Sequence, residues 1–582
     1  MNAYETIKQA LSTIVGDEVP FTIAPTENIA NGDYYSNLAF IIAKDKKSAP
    51  LEVATNIRDG LNYKYFDFFR VEVAGPGFIN FFLKDDVIRK ENEGGVKTFT
   101  TKYTGKNILV EHSSPNLFKP FHIGHLMNNI VGEFVTRAVT EGGAHTQVLC
   151  FPSDISFGIA KAIYVWKKDK EEGKGPSLDF LSQGHDVEKE SELVTYFGEC
   201  YVRGVALAKD IPEAEVDMRI IAKNLFGKVT GEDYDLWNTA RNVNSSYFSS
   251  ILESIGSQMG EIIYESDVDI LGKEIVLQNT GEGKVFTESQ GAVVYVPDED
   301  RKDINTAVFI NSEGHATYEA KDIGLIQKKF NDYSGENGVD MSFFITDQEQ
   351  INHFKVVLDS ASKLGDEWPE RVAKSIHVPH GRMLFKGQKM SSRLGGVPLA
   401  LDVIGVVEEE VRERAGEKIA HLGIDEKAKL EREIALSALR IAVLRSKPGI
   451  NINFDPETSL SFEGDSGPYL LYTHARCSSL LEKGKEKNII PHFGVYEVTL
   501  LEKKLIHFER ELISACEDLA PQKLVTYLFS VAQLFNSYYT STQILIEGDD
   551  VGNAHRLMIV KRVKEVLNRG LHVLGIEAPE RM

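Results

Sequence analysis

The chain is poor in cysteine, has no long apolar run and carries no surplus of basic charge. Four cysteines stand among 582 residues, Cys150, Cys200, Cys477 and Cys516, and they form neither a CxxC pair nor a disulfide framework. That excludes a cysteine-stapled secreted scaffold and sets the expectation of a reducing cytoplasm. No apolar stretch approaches the roughly 20 residues that a membrane helix needs, so no bilayer contact is expected. The first residues, MNAYETIKQALSTIVGDE, place Ile7, Leu11 and Ile14 at helical spacing among acids, unlike a secretory signal. A net charge of −21 argues against coating nucleic acid by bulk electrostatics. Any RNA contact must then be local and geometrically selective. Internal repeats and low-complexity tracts are also missing.

What is present is a soluble, globular composition, 42% hydrophobic and 26% charged, in a chain long enough for about three to four domains. Residues 1–95 read as a small α+β unit in which FRVEVAGPGFINFFL alternates around a Gly-Pro-Gly turn, the pattern of a hairpin. KENEGGVKTFTTKYTGK reads as a linker. Residues 96–425 alternate short apolar strands with helical stretches, which predicts an α/β fold on a parallel sheet, with a helical, charged insertion over about 165–275. Residues 426–582 read as helical throughout, with Leu524, Leu528, Val531 and Phe535 on one face.

Within the α/β region, KPFHIGHLMNN sets His122 and His125 three residues apart on either side of Ile-Gly. The apolar Ile108-Leu109-Val110 upstream predicts a buried strand, a proline-bounded loop follows, and Leu126, Ile130, Phe134 and Ala138 then recur at helical spacing. The histidines thus fall at a helix start, where free backbone N–H groups favour a phosphate or other anion. Gly124 removes a side chain that would keep a ligand from the backbone. On these residues alone a capping or packing pair is the alternative. Some 265 residues on, GQKMSSRLGG is a glycine-bounded polar loop with Lys389, Ser391, Ser392 and Arg393. It reads either as a solvated turn or as a loop that folds onto a polyphosphate.

In this order the two stretches resemble the signature motifs of class I aminoacyl-tRNA synthetases. VEHSSPNLFKPFHIGH, ATYEAKDIGL, DQEQINHF, LSFEGDSGPYLLYTHAR and GLHVLGIEAPERM resemble arginyl-tRNA synthetases in particular, over nearly the whole chain. The resemblance implies an N-terminal tRNA-binding domain, a Rossmann-type catalytic domain and a C-terminal helical anticodon-binding domain. It implies ligation of L-arginine to its tRNA through an arginyl-adenylate, with magnesium carried on ATP phosphates and no metal site built by the protein. A monomer in the cytoplasm is expected.

By the same resemblance His122, His125, Lys119 and Lys389 serve catalysis. Gly124, His125, Met383, Leu384, Lys389, Met390, Ser391, Ser392 and Arg393 hold ATP. Asp322 and Glu265 pair with the guanidinium of arginine and Tyr318 packs on it, while Asn116 and Gln350 take the amino and carboxylate end, with Glu111 nearby. Read without the family, Tyr318 and Asp322 share a helix face that is equally a solvated one. Phe78 and Asn80 match contacts to an unpaired base in the tRNA elbow. Tyr472, His474 and Arg476, with Tyr538 and Tyr539, are aromatic and basic candidates for anticodon contacts.

The chain departs from the family pattern at four places. FPSDISFG keeps Asp154 but lacks the usual glycines, Asp347 stands where glycine is common, Phe78 often corresponds to tyrosine, and Ser392 replaces a lysine. Related enzymes without that loop lysine commonly carry one at the position of Lys119, so the resemblance implies that Lys119 supplies the missing cation. The alternatives are another class I synthetase, for cysteine or glutamate, and a non-catalytic RNA-binding relative. The lack of zinc-type cysteines, the Tyr318/Asp322 pair and the intact phosphate motifs weigh against them in turn.

Overall fold

The computed structural model describes residues 2–582 except 17, 27, 96–98, 183–184, 334–337, 366, 386–397, 416–421 and 462–463. Helix α1 (Ala3–Val15) turns Ile7, Ala10 and Leu11 inward, as their spacing dictates. It lies with a four-stranded antiparallel sheet, order β1-β2-β4-β3, made of β1 (Ile23–Pro25), β2 (Tyr34–Ser36), β3 (Phe69–Ala74) and β4 (Phe78–Leu83). Helices α2 (Leu38–Lys46) and α3 (Pro50–Lys64) pack against this sheet. The Gly-Pro-Gly turn joins β3 to β4 as a hairpin. Helix α4 (Asp85–Glu93) follows and takes up the start of the segment read as a linker. The end of that segment is tied down as well, because the Thr101 and Thr104 hydroxyls donate to the Gly142 carbonyl at 2.6 and 3.0 Å.

The middle of the chain begins with β5 (Asn107–Glu111), α5 (Ile123–Glu141) and β6 (His145–Cys150). Four helices then leave the sheet, α6 (Phe157–Glu171), α7 (Val187–Asp210), α8 (Pro212–Phe226) and α9 (Glu232–Ser254), before β7 (Glu261–Ile262) and α10 (Glu265–Gln278). Strand β7 pairs with β6, so the end of the span read as an insertion belongs to the sheet. Strands β8 (Phe286–Ser289), β9 (Ala292–Tyr295) and β10 (Ala307–Ile310) make a small antiparallel sheet that periodicity did not single out. After α11 (Tyr318–Asp332), β11 (Met341–Asp347), α12 (Ile351–Ala361), α13 (Trp368–Lys374) and β12 (Ser375–His380) complete a five-stranded sheet, order β12-β11-β5-β6-β7. Every pairing in it is parallel. The chain runs outward from β5 in one direction and then returns to its other side, so the crevice at the carboxyl ends of β5 and β11 is the expected ligand site of a doubly wound sheet.

Strand β13 (Met383–Phe385), α14 (Ala400–Ala415) and α15 (Ile424–Leu444) lead to β14 (Ile452–Phe454), which pairs with β13 and is the exception to a helical C-terminal region. Beyond it stand α16 (Pro456–Ser459), α17 (Gly467–Glu486), α18 (Leu500–Leu505), α19 (Phe508–Glu517), α20 (Pro521–Ser541) and α21 (Asp550–Val573). Helix α5 packs against α15, α19 and α21, so one apolar core runs from the parallel sheet into the helical region. At its edge Arg137 donates to the His572 carbonyl at 3.1 Å and Arg569 pairs with Glu141. The N-terminal unit docks on the same helical region. Asn92 donates to the Glu502 carbonyl at 3.0 Å, Arg89 to that of Tyr496 at 2.6 Å, and the Tyr34 ring meets His507 edge-on at 4.8 Å.

Candidate active site

The paired histidines begin α5, as their sequence setting predicts. His122 is the N-cap, its Nδ1 accepting from the Gly124 N–H at 3.1 Å, and the Nδ1 of His125 accepts from the His122 N–H at 3.3 Å. The rings stack at 3.8 Å between centroids. Because each Nδ1 accepts a backbone proton, each ring carries its own proton on Nε2 and offers it as a donor. Burial, then the Lys119 charge, lowers His122 below its ordinary value, and burial with His122, Lys119 and His380 lowers His125 further. The two imidazoles are therefore neutral hydrogen-bond donors and add no positive charge of their own. Gly124 is needed for a reason other than ligand approach: a Cβ there would lie 2.9 Å from the ring of His122.

The loop that precedes them is held at several points. Ser113 and Phe118 take positive φ, 56° and 65°, and such strain persists only where the surroundings over-determine it. Asn128 accepts from the Ser113 N–H at 2.6 Å, Asn244 accepts from that of Phe118 at 3.2 Å, and the Leu117 N–H donates to Ser153 at 3.1 Å. Lys119 stands on this loop half-buried, its ammonium 5.3 Å from the centre of the Tyr201 ring of α7.

Buried carboxylates gather around α11. Glu111 ends β5 and is bonded to Lys329 of α11; burial raises its carboxyl and Lys329 opposes the rise. Glu265 opens α10, bonded to Lys321 of α11, and burial outweighs that cation to bring it up to about 7. The close crossing of α10 and α11 makes this pair possible: a Cβ on Gly272 would fall 1.9 Å from the Ala320 carbonyl, and one on Gly324 would fall 2.4 Å from that of Val268. Asn116 pairs with Ser153, and Glu265 and Tyr318 both face that serine, so three of the residues expected to bind arginine converge there. Tyr318 is 52% exposed, with the Lys321 ammonium 5.2 Å from its ring centre. Asp322, one turn along α11, is buried with Oδ2 2.5 Å from His353 Nε2. Gln350 ends the short turn after β11 and is exposed.

The turn after β6 holds its shape through Asp154, which accepts from the Ser266 backbone and hydroxyl at 2.9 and 2.6 Å and faces Arg241 at 3.6 Å. Asp347 accepts from the Glu349 N–H at 2.8 Å and faces Arg382 at 3.4 Å. Met383 is buried and Leu384 exposed on β13. Lys389, Met390, Ser391, Ser392 and Arg393 lie outside the described residues.

Two of the residues expected to contact RNA are shielded. His474 is fully buried on α17 with its ring on the Pro579 carbonyl at 3.0 Å, so it cannot reach a nucleotide. Asn80 is 7% exposed, set between Tyr35 and Glu72 of the neighbouring strands. Phe78 on the same sheet face is 38% exposed and meets Phe40 and Tyr35 edge-on, an aromatic surface open on one side. Arg476, bonded to Asn536, lies over the Tyr472 and Tyr539 rings at 4.7 and 4.6 Å.

Sequence reasoning passed over Lys321, Lys329, His353, Arg241 and His380. Lys321 is adjacent to Asp322 and His353 sits inside DQEQINHF, but neither spacing tells which carboxylate it meets.

Three family models match the chain: the arginyl tRNA synthetase N terminal domain over residues 2–83, the tRNA synthetases class I (R) catalytic domain over 88–455, and the DALR anticodon binding domain over 470–582. The arginine–tRNA ligase of Clostridium perfringens is 28% identical over 563 residues, covering 93% of each chain. That of an Exiguobacterium species is 29% identical over 594 residues, covering 99% of each. Among solved structures, the arginyl-tRNA synthetases of Thermus thermophilus and Plasmodium falciparum share the fold with TM-scores of 0.76 each, at 23% and 18% identity. They cover 99% and 100% of this chain and are themselves covered completely.

Proposed function

The chain belongs to the class I (R) tRNA synthetase family, and from that premise we propose how its residues carry out the ATP-dependent charging of tRNA with arginine through an aminoacyl-adenylate. The observation that carries the reading is the junction at the carboxyl ends of β5 and β11. Two neutral Nε2–H donors and a lysine follow β5 at the start of α5, and the buried carboxylates Glu111, Glu265 and Asp322 gather around α11.

Activation requires in-line attack of the arginine carboxylate on the α-phosphate of ATP, with pyrophosphate leaving. Asp322 and Glu265 bind the guanidinium, whose planar donors suit fixed carboxylates, and Tyr318 stacks on it. Asn116 and Gln350 orient the amino and carboxylate end, with Glu111 held behind the pocket by Lys329. His122 and His125 donate from Nε2 to phosphate oxygens, at the positive end of the α5 helix dipole. Lys119 supplies the cation from this side, and Lys389, Met390, Ser391, Ser392 and Arg393, with Met383 and Leu384, are the residues assigned to ATP. Magnesium enters with ATP, bound to its phosphates. No covalent enzyme intermediate is needed, since positioning and charge stabilisation suffice.

Residues 1–95 read as the tRNA-elbow module, 96–425 as the catalytic domain and 426–582 as the anticodon module, in a cytoplasmic monomer that holds the whole site in one chain. Transfer of labelled arginine, but of no other amino acid in a panel, to total tRNA tests the activity. By the resemblance to arginyl-tRNA synthetases, arginine activation itself is expected to need tRNA, and vigorous arginine-dependent pyrophosphate exchange without it refutes this.

Removing residues 1–95 would strip the docked face of the helical region, so a point substitution is the cleaner test of the RNA contact. Phe78→Ala is expected to raise the KM for tRNA at least about five-fold, the loss of about 1 kcal/mol or more of base stacking, with arginine and ATP constants unchanged. An unaltered KM removes Phe78 from the RNA surface.

A further inference from the structure

The buried carboxylates of the pocket are not equally provided with cations. Lys329 serves Glu111, Lys321 serves Glu265, and Arg241 faces Asp154. His353, at the start of α12, serves two carboxylates at once. Its Nε2 lies 2.5 Å from Asp322 Oδ2 and its Nδ1 lies 3.6 Å from Glu319 Oε1. Both carboxylates come from α11, and on the other side stands His377 of β12, which burial and then the His353 charge lower to about 4. Burial pulls His353 itself down, yet Asp322 and Glu319 carry it up to about 10. The imidazolium therefore persists through the neutral range, and this group of three keeps one negative charge without a resident partner.

We propose that His353 is a positioning residue of the arginine site: bonded to Asp322 Oδ2, it turns Oδ1 toward the guanidinium, and as the one cation shared by Asp322 and Glu319 it leaves a single negative charge for the substrate to neutralise. This rests on the reading of Asp322 as the partner of the guanidinium. A side chain of charge +1 completes the balance, and a neutral isostere such as the ureido group of citrulline leaves it open, so His353 contributes to selectivity without touching the substrate.

The test compares His353→Gln, Glu319→Gln, the double variant and Asp322→Asn in arginine-dependent pyrophosphate exchange with tRNA present. In His353→Gln Asp322 Oδ2 loses its imidazolium partner and the two α11 carboxylates stand without their shared cation. The KM for arginine is therefore expected to rise about ten-fold, the loss of one charge-assisted hydrogen bond that orients Asp322, with kcat and the KM for ATP little changed. Adding Glu319→Gln returns the site to one negative charge and is expected to restore part of the KM. A wild-type KM overturns the proposal, and so does a raised KM that Glu319→Gln does not relieve, which marks a packing role alone. Where His353→Gln fails to fold, Glu319→Gln carries the test: with the surplus charge gone, the KM for arginine is expected to rise about five-fold, about 1 kcal/mol, and an unchanged value overturns the proposal. Asp322→Asn separates the two readings. Normal arginine kinetics there overturn the role of Asp322 itself, whereas a loss there beside an unaffected His353→Gln overturns only the role of His353.

Discussion

Lys119→Ala is expected to lower the turnover number for adenylate formation by about 10²-fold or more, with small changes in arginine or ATP affinity. Charge builds on the phosphates as the α-phosphate bond to pyrophosphate breaks, and a compact cation stabilises it most where it is needed. Neither histidine of the α5 N-terminus can be that cation, because burial and Lys119 itself keep both rings neutral. The same influence places the ammonium within electrostatic reach of both rings, on a loop held by Ser153, Asn128 and Asn244. Its present contact is the Tyr201 ring, a cation–π interaction worth about 0.5–1 kcal/mol at such a site. That is weak enough to exchange for a phosphate. Because Ser392 stands where the family's motif usually carries a lysine, Lys119→Ala combined with Ser392→Lys is expected to recover part of the loss by returning a cation to the phosphates. Pre-steady-state measurement of adenylate formation gives the answer, and near-wild-type turnover in the single variant returns Lys119 to a merely structural place.

Asp322→Asn is expected to cost about 1.5–3 kcal/mol or more in kcat/KM for arginine, roughly ten-fold to over a hundred-fold, while the KM for ATP stays near wild type. The amide keeps the shape but loses the charge, and its NH2 turns a donor toward a guanidinium that has only donors. Asp322 is buried, so water cannot stand in for the lost acceptor. His353 loses its nearest counter-charge in the same substitution, and its pKa falls from about 10. Arginine titrations of pyrophosphate exchange give the result, and unaltered arginine kinetics remove Asp322 from the guanidinium site.

Much of the site was legible because its parts are local. The strand Asn107–Glu111, the proline-bounded loop and the helix from Ile123 follow one another directly, and apolar spacing reveals each. The helix that puts Tyr318 and Asp322 on one face is visible in the same way. Legibility ended where a side chain had to be placed against another segment. His474 looked like an RNA ligand because it stands among aromatic and basic residues of one helix, but α17 turns it inward against the chain's last residues. Gly124 looked like room for a ligand, and the space is filled by the ring two residues before it. The short strands β7, β13 and β14 carry too few residues for alternation to show, and pairing across the fold alone makes them strands.

By itself the sequence determined the order of the three regions, the parallel α/β class of the middle one, and the helix start that carries His122 and His125. These follow from periodicities and caps that act between residues a few positions apart. Tertiary structure alone decided which charges meet. Lys321 reaches Glu265 across 56 residues, His353 reaches Asp322 across 31, and Lys329 reaches Glu111 across 218. It also decided that the paired histidines are neutral and that His353 is charged. Protonation depends on burial and on every charge nearby, and both exist only once helices from distant parts of the chain are packed against one sheet.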